Sequence, residues 1–212
     1  MSGDDPLACY AFDITLHGLP GDVAGQVPAG PAYDDLGASW PTLDVPREAL
    51  ATPMAVGFDG LWLGAPPNLL FVPDRNHDDR ADTDAIEVRL TGWGIRDRHE
   101  VVNSLTWGPD GWLWGRVGIS SQAAIDLPGT PADRRIVMNG GIWRYHPERK
   151  IVEAVAHGTT NPWGMDWNRD GEPFFINTVI GHLWHAIPGA HFEKMYGDDV
   201  NPRSEEHTSE LQ

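Results

Sequence analysis

The chain has 212 residues, of which 41% are hydrophobic and 22% are charged, so it holds enough apolar material for a core and lacks the composition of a disordered protein. Its formal net charge of -16 argues against binding to nucleic acid or to an anionic membrane, because both need clustered Lys and Arg. A single cysteine, Cys9, excludes an internal disulfide, a thiolate zinc cage and a c-type haem attachment motif within this chain.

The composition predicts an all-β fold. Ten Trp, 24 Gly and 18 Pro residues suit short strands joined by frequent turns and disfavour long helices. No apolar run approaches the length of a membrane span, and the first ten residues lack the basic and apolar regions of a signal peptide. From these features alone, the protein is either cytoplasmic or its true N-terminus is missing.

Residues 1–49 form a lead-in that is rich in Gly and Pro and shows no repeat. Strand-like runs in this segment are short. It is a degenerate copy of the repeat that follows, a loop-rich lead-in, or sequence from a wrongly chosen start, and its residues leave these alternatives open.

Three segments downstream share one pattern: an apolar strand, a turn with Asp-Gly, and an aromatic second strand. They are MAVGFDGLWLG from Met54, SLTWGPDGWLWG from Ser104 and GMDWNRDGEPFF from Gly164. Asp-Gly is favoured in tight hairpins because Gly adopts positive φ at little cost. A third strand is predicted after each hairpin and a fourth after the first two; these strands start at Asn68, Ala85, Gly140, Ile151 and Gly181.

Four strands per unit, with units roughly 50 to 60 residues apart, predict an incomplete β-propeller of about three four-stranded blades over residues 50–202. Stacked blades bury a continuous core that lone hairpins cannot form. The second unit carries a long insertion, RVGISSQAAIDLPGTPADRRIVMN from Arg116. An insertion of this length is predicted to be functional or to cover a face.

In a propeller, the links from the outer strand of one blade to the inner strand of the next lie beside the central channel, where ligand sites gather. Two such links are predicted, WGIRDRHEVVN from Trp93 and AHGTTNPWG from Ala156. A His beside carboxylates and Arg can serve as a general base. A polar loop that satisfies its own backbone is the alternative. The candidate residues are Arg96, Asp97, Arg98, His99, Glu100, Asn103, His157, Thr160 and Asn161.

The segment DRNHDDRAD from Asp74 resembles a calcium loop, because oxygen-bearing side chains stand at its first, third, fifth and ninth positions. Asp79 stands where such loops usually have Gly, and Ala85 replaces the Glu of an EF-hand, so a plain acidic hairpin is the alternative. The metal ligands would be Asp74, Asn76, Asp78 and Asp82.

Three histidines follow in the third unit, at His182, His185 and His191. The first two have HxxH spacing, which on a helix would place both rings on one face. The surrounding pattern predicts a strand, where residues three apart point to opposite faces, so a metal pair is not expected.

From about Leu50 to Pro202 the chain resembles a bacterial family of six-bladed propellers described as membrane-bound dehydrogenases. The matching stretches are LLFVPD, DRHEVVNSLTWGPDGWL, GGIWRYHP, NPWGMDWN and HLWHAIPGAHF. Members are typically exported, and many carry a helical region and a c-type haem domain after the propeller. The resemblance implies a periplasmic protein, with further blades and a haem domain as partners beyond this chain.

The same residues are similar, more distantly, to soluble pyrroloquinoline quinone (PQQ) sugar dehydrogenases. By that resemblance His99, which stands before the hairpin at 108–111, would take a proton from a sugar hydroxyl while hydride passes to the quinone. The Arg-Asn-Pro motif that contacts the cofactor reads Thr160-Asn161-Pro162 here, so Asn161 matches and the cation would have to come from Arg98.

The resemblance thus implies a dehydrogenase of a sugar or related alcohol. A propeller module that binds a carbohydrate or a partner domain without chemistry is the alternative. This chain alone is expected to be inactive, because an incomplete ring exposes blade edges and lacks most channel loops.

The last ten residues, RSEEHTSELQ from Arg203 to Gln212, resemble the translation of a common sequencing-library adapter. Ten consecutive matches favour this interpretation over a natural acidic tail. The natural protein is therefore expected to continue beyond Pro202.

Overall fold

The computed structural model describes residues 53–78, 80–95, 100–120, 122–181 and 183–200. Within these ranges the fold is all-β, as predicted, with two short 3-10 helices at 83–85 and 132–134. No helix in the described ranges has the length and apolar character needed to cross a bilayer. The strands are β1 (Met54–Val56), β2 (Gly60–Ala65), β3 (Asn68–Pro73), β4 (Glu87–Trp93), β5 (Asn103–Trp107), β6 (Leu113–Val117), β7 (Ala123–Asp126), β8 (Ile136–Met138), β9 (Gly141–His146), β10 (Ile151–Gly158), β11 (Pro162–Trp167), β12 (Pro173–Asn177), β13 (Leu183–His185) and β14 (His191–Phe192).

The strands form three sheets. The first has the order β1-β2-β3-β4-β7-β8, the second β14-β10-β9-β6-β5, and the third β11-β12-β13. β14 pairs with β10 in parallel, whereas the consecutive strands of each predicted unit pair in antiparallel fashion. The predicted four-stranded units are therefore confirmed for the first two repeats, and the third repeat has its first three strands.

The predicted Asp-Gly turns are confirmed in the second and third hairpins. Gly111 and Gly171 have φ of 78° and 83°, a region that glycine enters without steric cost. In the first hairpin the positive φ values fall instead on Phe58 (58°) and Asp59 (57°), and Gly60 begins β2. Gly60 serves close packing, because a Cβ there would lie 2.5 Å from a backbone oxygen of β3.

The insertion after β6 adds two strands to the first sheet. β7 pairs with β4, with Thr91 opposite Asp126, and β8 pairs with β7. Gly92 permits this pairing, because a Cβ at that position would lie 1.9 Å from the carbonyl oxygen of Ala124. The insertion therefore extends a sheet edge, and its predicted role, functional or as cover for a face, stays a prediction.

Two apolar clusters join the three sheets. The larger lies between the first and second sheets and includes the fully buried rings of Trp62, Trp143 and Tyr145. The smaller lies between the second and third sheets, where Trp114 and Ile142 pack with Phe175. The second sheet is thus buried on both faces, and the order of stacking brings the chain connections between sheets close together.

Candidate functional site

The two connections between sheets meet at one side of the stack. The chain passes from the first sheet to the second between β4 and β5, and from the second to the third between β10 and β11. Asn103, the first residue of β5, donates from Nδ2 to Asn161 Oδ1 at 2.6 Å and to the Pro162 carbonyl oxygen at 3.0 Å. We call this the link side, formed by the described residues 100–103 and 156–162. The predicted convergence of the two links is confirmed for Asn103 and Asn161.

Asn177, the last residue of β12, accepts hydrogen bonds from three residues of the second link. Its Oδ1 accepts hydrogen bonds from Thr159 Oγ1 at 2.6 Å, from Asn161 N at 3.0 Å and from Thr160 N at 3.4 Å. All four residues are buried. Asn177 was not among the site residues predicted from the sequence, although a polar amide that ends the apolar run of β12 was a signal for it.

Arg116, opposite Asn103 in the register of β5 and β6, is fully buried. Its Nη1 donates to the Ser104 carbonyl oxygen at 3.2 Å and to Thr106 Oγ1 at 3.1 Å. Ser104, with φ of 44°, is the extra residue of a bulge in β5, so Arg116 satisfies a carbonyl at an irregular point of the ladder. Burial lowers the pKa of Arg116 to about 10, which leaves its guanidinium charged at neutral pH.

His99, the predicted catalytic base, and Arg98, predicted to contact the cofactor, lie outside the described residues, as do Arg96 and Asp97. The next residue, Glu100, ties the first link to the end of β6. Its Oε2 accepts a hydrogen bond from Ser120 N at 3.1 Å, and its carbonyl oxygen accepts one from Gly118 N at 2.8 Å. The roles of His99 and Arg98 stay predictions.

Two residues of the predicted cofactor motif, Thr160 and Asn161, are buried at the link side. Thr160 is almost fully buried, and its Oγ1 accepts a hydrogen bond from Met195 N at 3.1 Å. Asn161 Oδ1 is occupied by Asn103, whereas Asn161 Nδ2 has no partner among the described residues. PQQ is a tricarboxylate that needs cationic partners. The guanidinium of Arg116 is fully buried, so it cannot be one of these partners. Arg98, the cation predicted to contact PQQ, lies outside the described residues, so PQQ binding stays a prediction.

The predicted calcium ligands form a hydrogen-bonded turn after β3. Asp74 Oδ1 accepts from Asp78 N at 3.2 Å, and Asp82 Oδ2 accepts from Arg75 N at 3.1 Å. Asn76 Nδ2 donates to Asp78 Oδ2 at 3.0 Å. In the described ranges, no group of three His, Cys, Asp or Glu side chains is placed to hold a metal. Calcium binding at these residues stays a prediction.

The first two histidines of the third unit differ in what the structure describes. His185 lies on β13, where its Nε2 is 2.9 Å from Glu172 Oε2 and its ring stacks on Phe174 at a centroid distance of 4.9 Å. His182 lies outside the described residues. An exposed pairing with a carboxylate accounts for His185 without a metal.

His191 lies on β14, at the outer edge of the second sheet. Its Nε2 is 2.5 Å from Asp199 Oδ2, and its ring lies 6.1 Å from that of His157. His157 N donates to the Ala190 carbonyl oxygen at 3.0 Å, which fastens β14 beside the second link. His157 was a candidate for ligand binding, and the structure places it in this edge contact.

The family described as "Domain of unknown function (DUF7133)" matches residues 45–211. The chain belongs to this family. The DUF7133 match includes all described residues and the whole link side, and it runs into the segment 203–212. That segment and residues 1–49 lie outside the described residues, so their assignments stay predictions. No curated protein matches the chain.

Proposed function

We propose that the three sheets are consecutive blades of a β-propeller. The support is their repeated strand order and their face-to-face stacking through two apolar clusters. The third sheet adds to it: Ile176 and Leu183 pair on the face that is turned away from the second sheet, and they are 45% and 69% exposed. A blade that packs on a following blade needs such an apolar face.

We further propose that the link side binds a small neutral ligand rich in hydroxyl groups, such as a sugar, without chemistry of its own. The observation that carries this proposal is the fixed amide of Asn161. Its Oδ1 is held by Asn103 and its backbone N–H by Asn177, so Nδ2 is oriented before any ligand arrives. Pre-organised donors lose little entropy on binding, which favours specific recognition of a hydroxyl.

Isothermal titration of the 212-residue chain with a panel of neutral monosaccharides tests this proposal. In Asn161→Asp the oxygen that accepts from Asn103 is kept and the Nδ2 donor is lost, so affinity for the bound sugar is expected to fall about tenfold. Asn168→Asp is the matched control, because Asn168 lies in an exposed turn between β11 and β12. Equal affinity in Asn161→Asp and wild type, or no binding across the panel, would overturn the proposal.

A sugar or alcohol dehydrogenase is the second candidate function. It is supported by the position of His99 before the hairpin at 108–111, which forms in the structure with Gly111 N donating to the Gly108 carbonyl oxygen at 3.0 Å. By resemblance, His99 would be the base, and Arg98 with Asn161 would contact PQQ. An exported location and a haem-domain partner belong to this candidate and stay predictions.

Reduction of a redox dye separates the two candidates. With added PQQ, calcium and sugar, the 212-residue chain is expected to reduce no dye, because an incomplete ring lacks most of the channel loops that would form the cofactor site. Dye reduction that disappears in His99→Ala would establish the dehydrogenase instead. Reduction that survives in His99→Ala would show that His99 is not the base.

A further inference from the structure

Arg116 is a fully buried positive charge on β6, on the strand face that also carries Trp114 of the cluster between the second and third sheets. The Nε and Nη2 atoms of Arg116 are buried and have no hydrogen-bond partner. Among the residues described, no carboxylate forms an ion pair with this guanidinium, and burial alone accounts for its lowered pKa. The two bonds made by Nη1 are to neutral oxygens.

An uncompensated charge at this place is costly. The effective penalty for removing an ion from water is on the order of several kcal/mol, and proteins offset it by pairing the ion. A trapped water would satisfy a hydrogen-bond donor but would leave the charge in place. A negative partner would compensate the charge of Arg116.

Two side chains at the neighbouring link side also have unpartnered buried polar atoms. Asn177 Nδ2 is a buried donor without a partner, and Asn103 Oδ1 is a buried acceptor without one. Together with Nε and Nη2 of Arg116, the orphaned donor atoms outnumber the orphaned acceptor. A water bound to Asn103 Oδ1 would satisfy this acceptor. The atoms that are still unpartnered are then all donors, and an anion can accept hydrogen bonds from them.

We propose that the guanidinium of Arg116 holds a small monovalent anion of the size of chloride between the second and third sheets. Nε and Nη2 of Arg116, which have no other partner, are the donors. Because Arg116 is fully buried, we infer that the anion is a small free ion rather than a substituent of a sugar. This site is independent of the proposed ligand contact at Asn161.

Thermal unfolding of the 212-residue chain in chloride and in gluconate at equal ionic strength tests the site. A tenfold excess of chloride over its dissociation constant is expected to raise the midpoint by about 3–6 °C relative to gluconate, which is too large to enter. Arg116→Met is expected to abolish the difference. Arg144→Met is the matched control and is expected to keep it, because Arg144 is already paired with Glu153 at 2.8 Å and Asp110 at 3.3 Å.

Crystals of the unmutated chain grown in bromide provide a readout that does not depend on a variant that folds. An anomalous peak beside Nε and Nη2 of Arg116 would support the site. Water alone in that place, or equal midpoints in chloride and gluconate, would overturn it. A chloride effect that persists unchanged in Arg116→Met would also overturn it, because the anion would then bind elsewhere.

Discussion

Replacing Trp143 with alanine is expected to lower the free energy of unfolding by about 3–5 kcal/mol. The ring is fully buried between the first and second sheets and lies 5.3 Å from the ring of Trp93. It also rests on Gly115, where a Cβ would lie 2.1 Å from the Trp143 ring. Removal of the Trp143 ring leaves a cavity, and the paired backbones of β6 and β9 cannot move to fill it. Urea unfolding followed by far-UV circular dichroism measures the loss.

Two comparisons make the Trp143 prediction specific. Trp163→Ala, at a ring that is 37% exposed on the third sheet, is expected to cost less than about 1 kcal/mol. Gly115→Ala is expected to cost about 1–3 kcal/mol in the wild type and clearly less when Trp143 is already Leu, because the clashing ring is then absent. Equal losses for Trp143→Ala and Trp163→Ala, or strictly additive effects with Gly115→Ala, would contradict the packing described for this cluster.

Replacing Asn177 with alanine is expected to lower the free energy of unfolding by about 2–5 kcal/mol. One side-chain oxygen serves three donors of the second link, so its removal leaves buried N–H and O–H groups unsatisfied. The loss is expected to be concentrated at residues 159–161. Hydrogen exchange of the amides of Thr160 and Asn161 measures it locally, and urea unfolding measures it globally.

Asn168→Ala is the control for Asn177→Ala, because it removes the same amide from a turn. Asn168 Oδ1 also accepts from two backbone N–H groups, those of Asp170 and Glu172, but these groups are exposed and water replaces the amide. Its expected cost is below about 1 kcal/mol. Asn177→Asp, which keeps the acceptor oxygen, is expected to recover part of the lost protection. Similar costs at Asn177 and Asn168 would show that burial does not decide the strength of this network.

Local patterns predicted much of the fold. The alternation of apolar and polar residues beside Asp110-Gly111 and Asp170-Gly171 located two hairpins, because periodicity and turn chemistry act over a few residues. The turn of the first hairpin differs from the prediction. Gly60 packs closely against β3, and the positive φ values fall on Phe58 and Asp59 instead. Strand positions were thus readable even where the turn geometry was not.

The candidate site is formed by long-range contacts, which local sequence patterns do not predict. Asn103 and Asn161 were singled out because they stand on the links, yet their direct hydrogen bond joins residues 58 positions apart. Arg116 was assigned to an insertion, because nothing in its neighbourhood reveals that a third sheet covers it. The pairing of β7 with β4 has the same origin: the partner of an edge strand is chosen by the assembled sheets.

The strand order of the first sheet has a consequence for synthesis of the chain on the ribosome. β7 and β8 belong to this sheet, but they emerge only after β5 and β6 of the second sheet have left the exit tunnel. The outer edge of β4 therefore has no paired strand while the second repeat is being synthesised. An unpaired strand edge is a template for wrong pairing. β14 delays completion of the second sheet in the same way. The first and second sheets are each completed by strands of the following repeat, so deleting that repeat removes strands from the sheet before it.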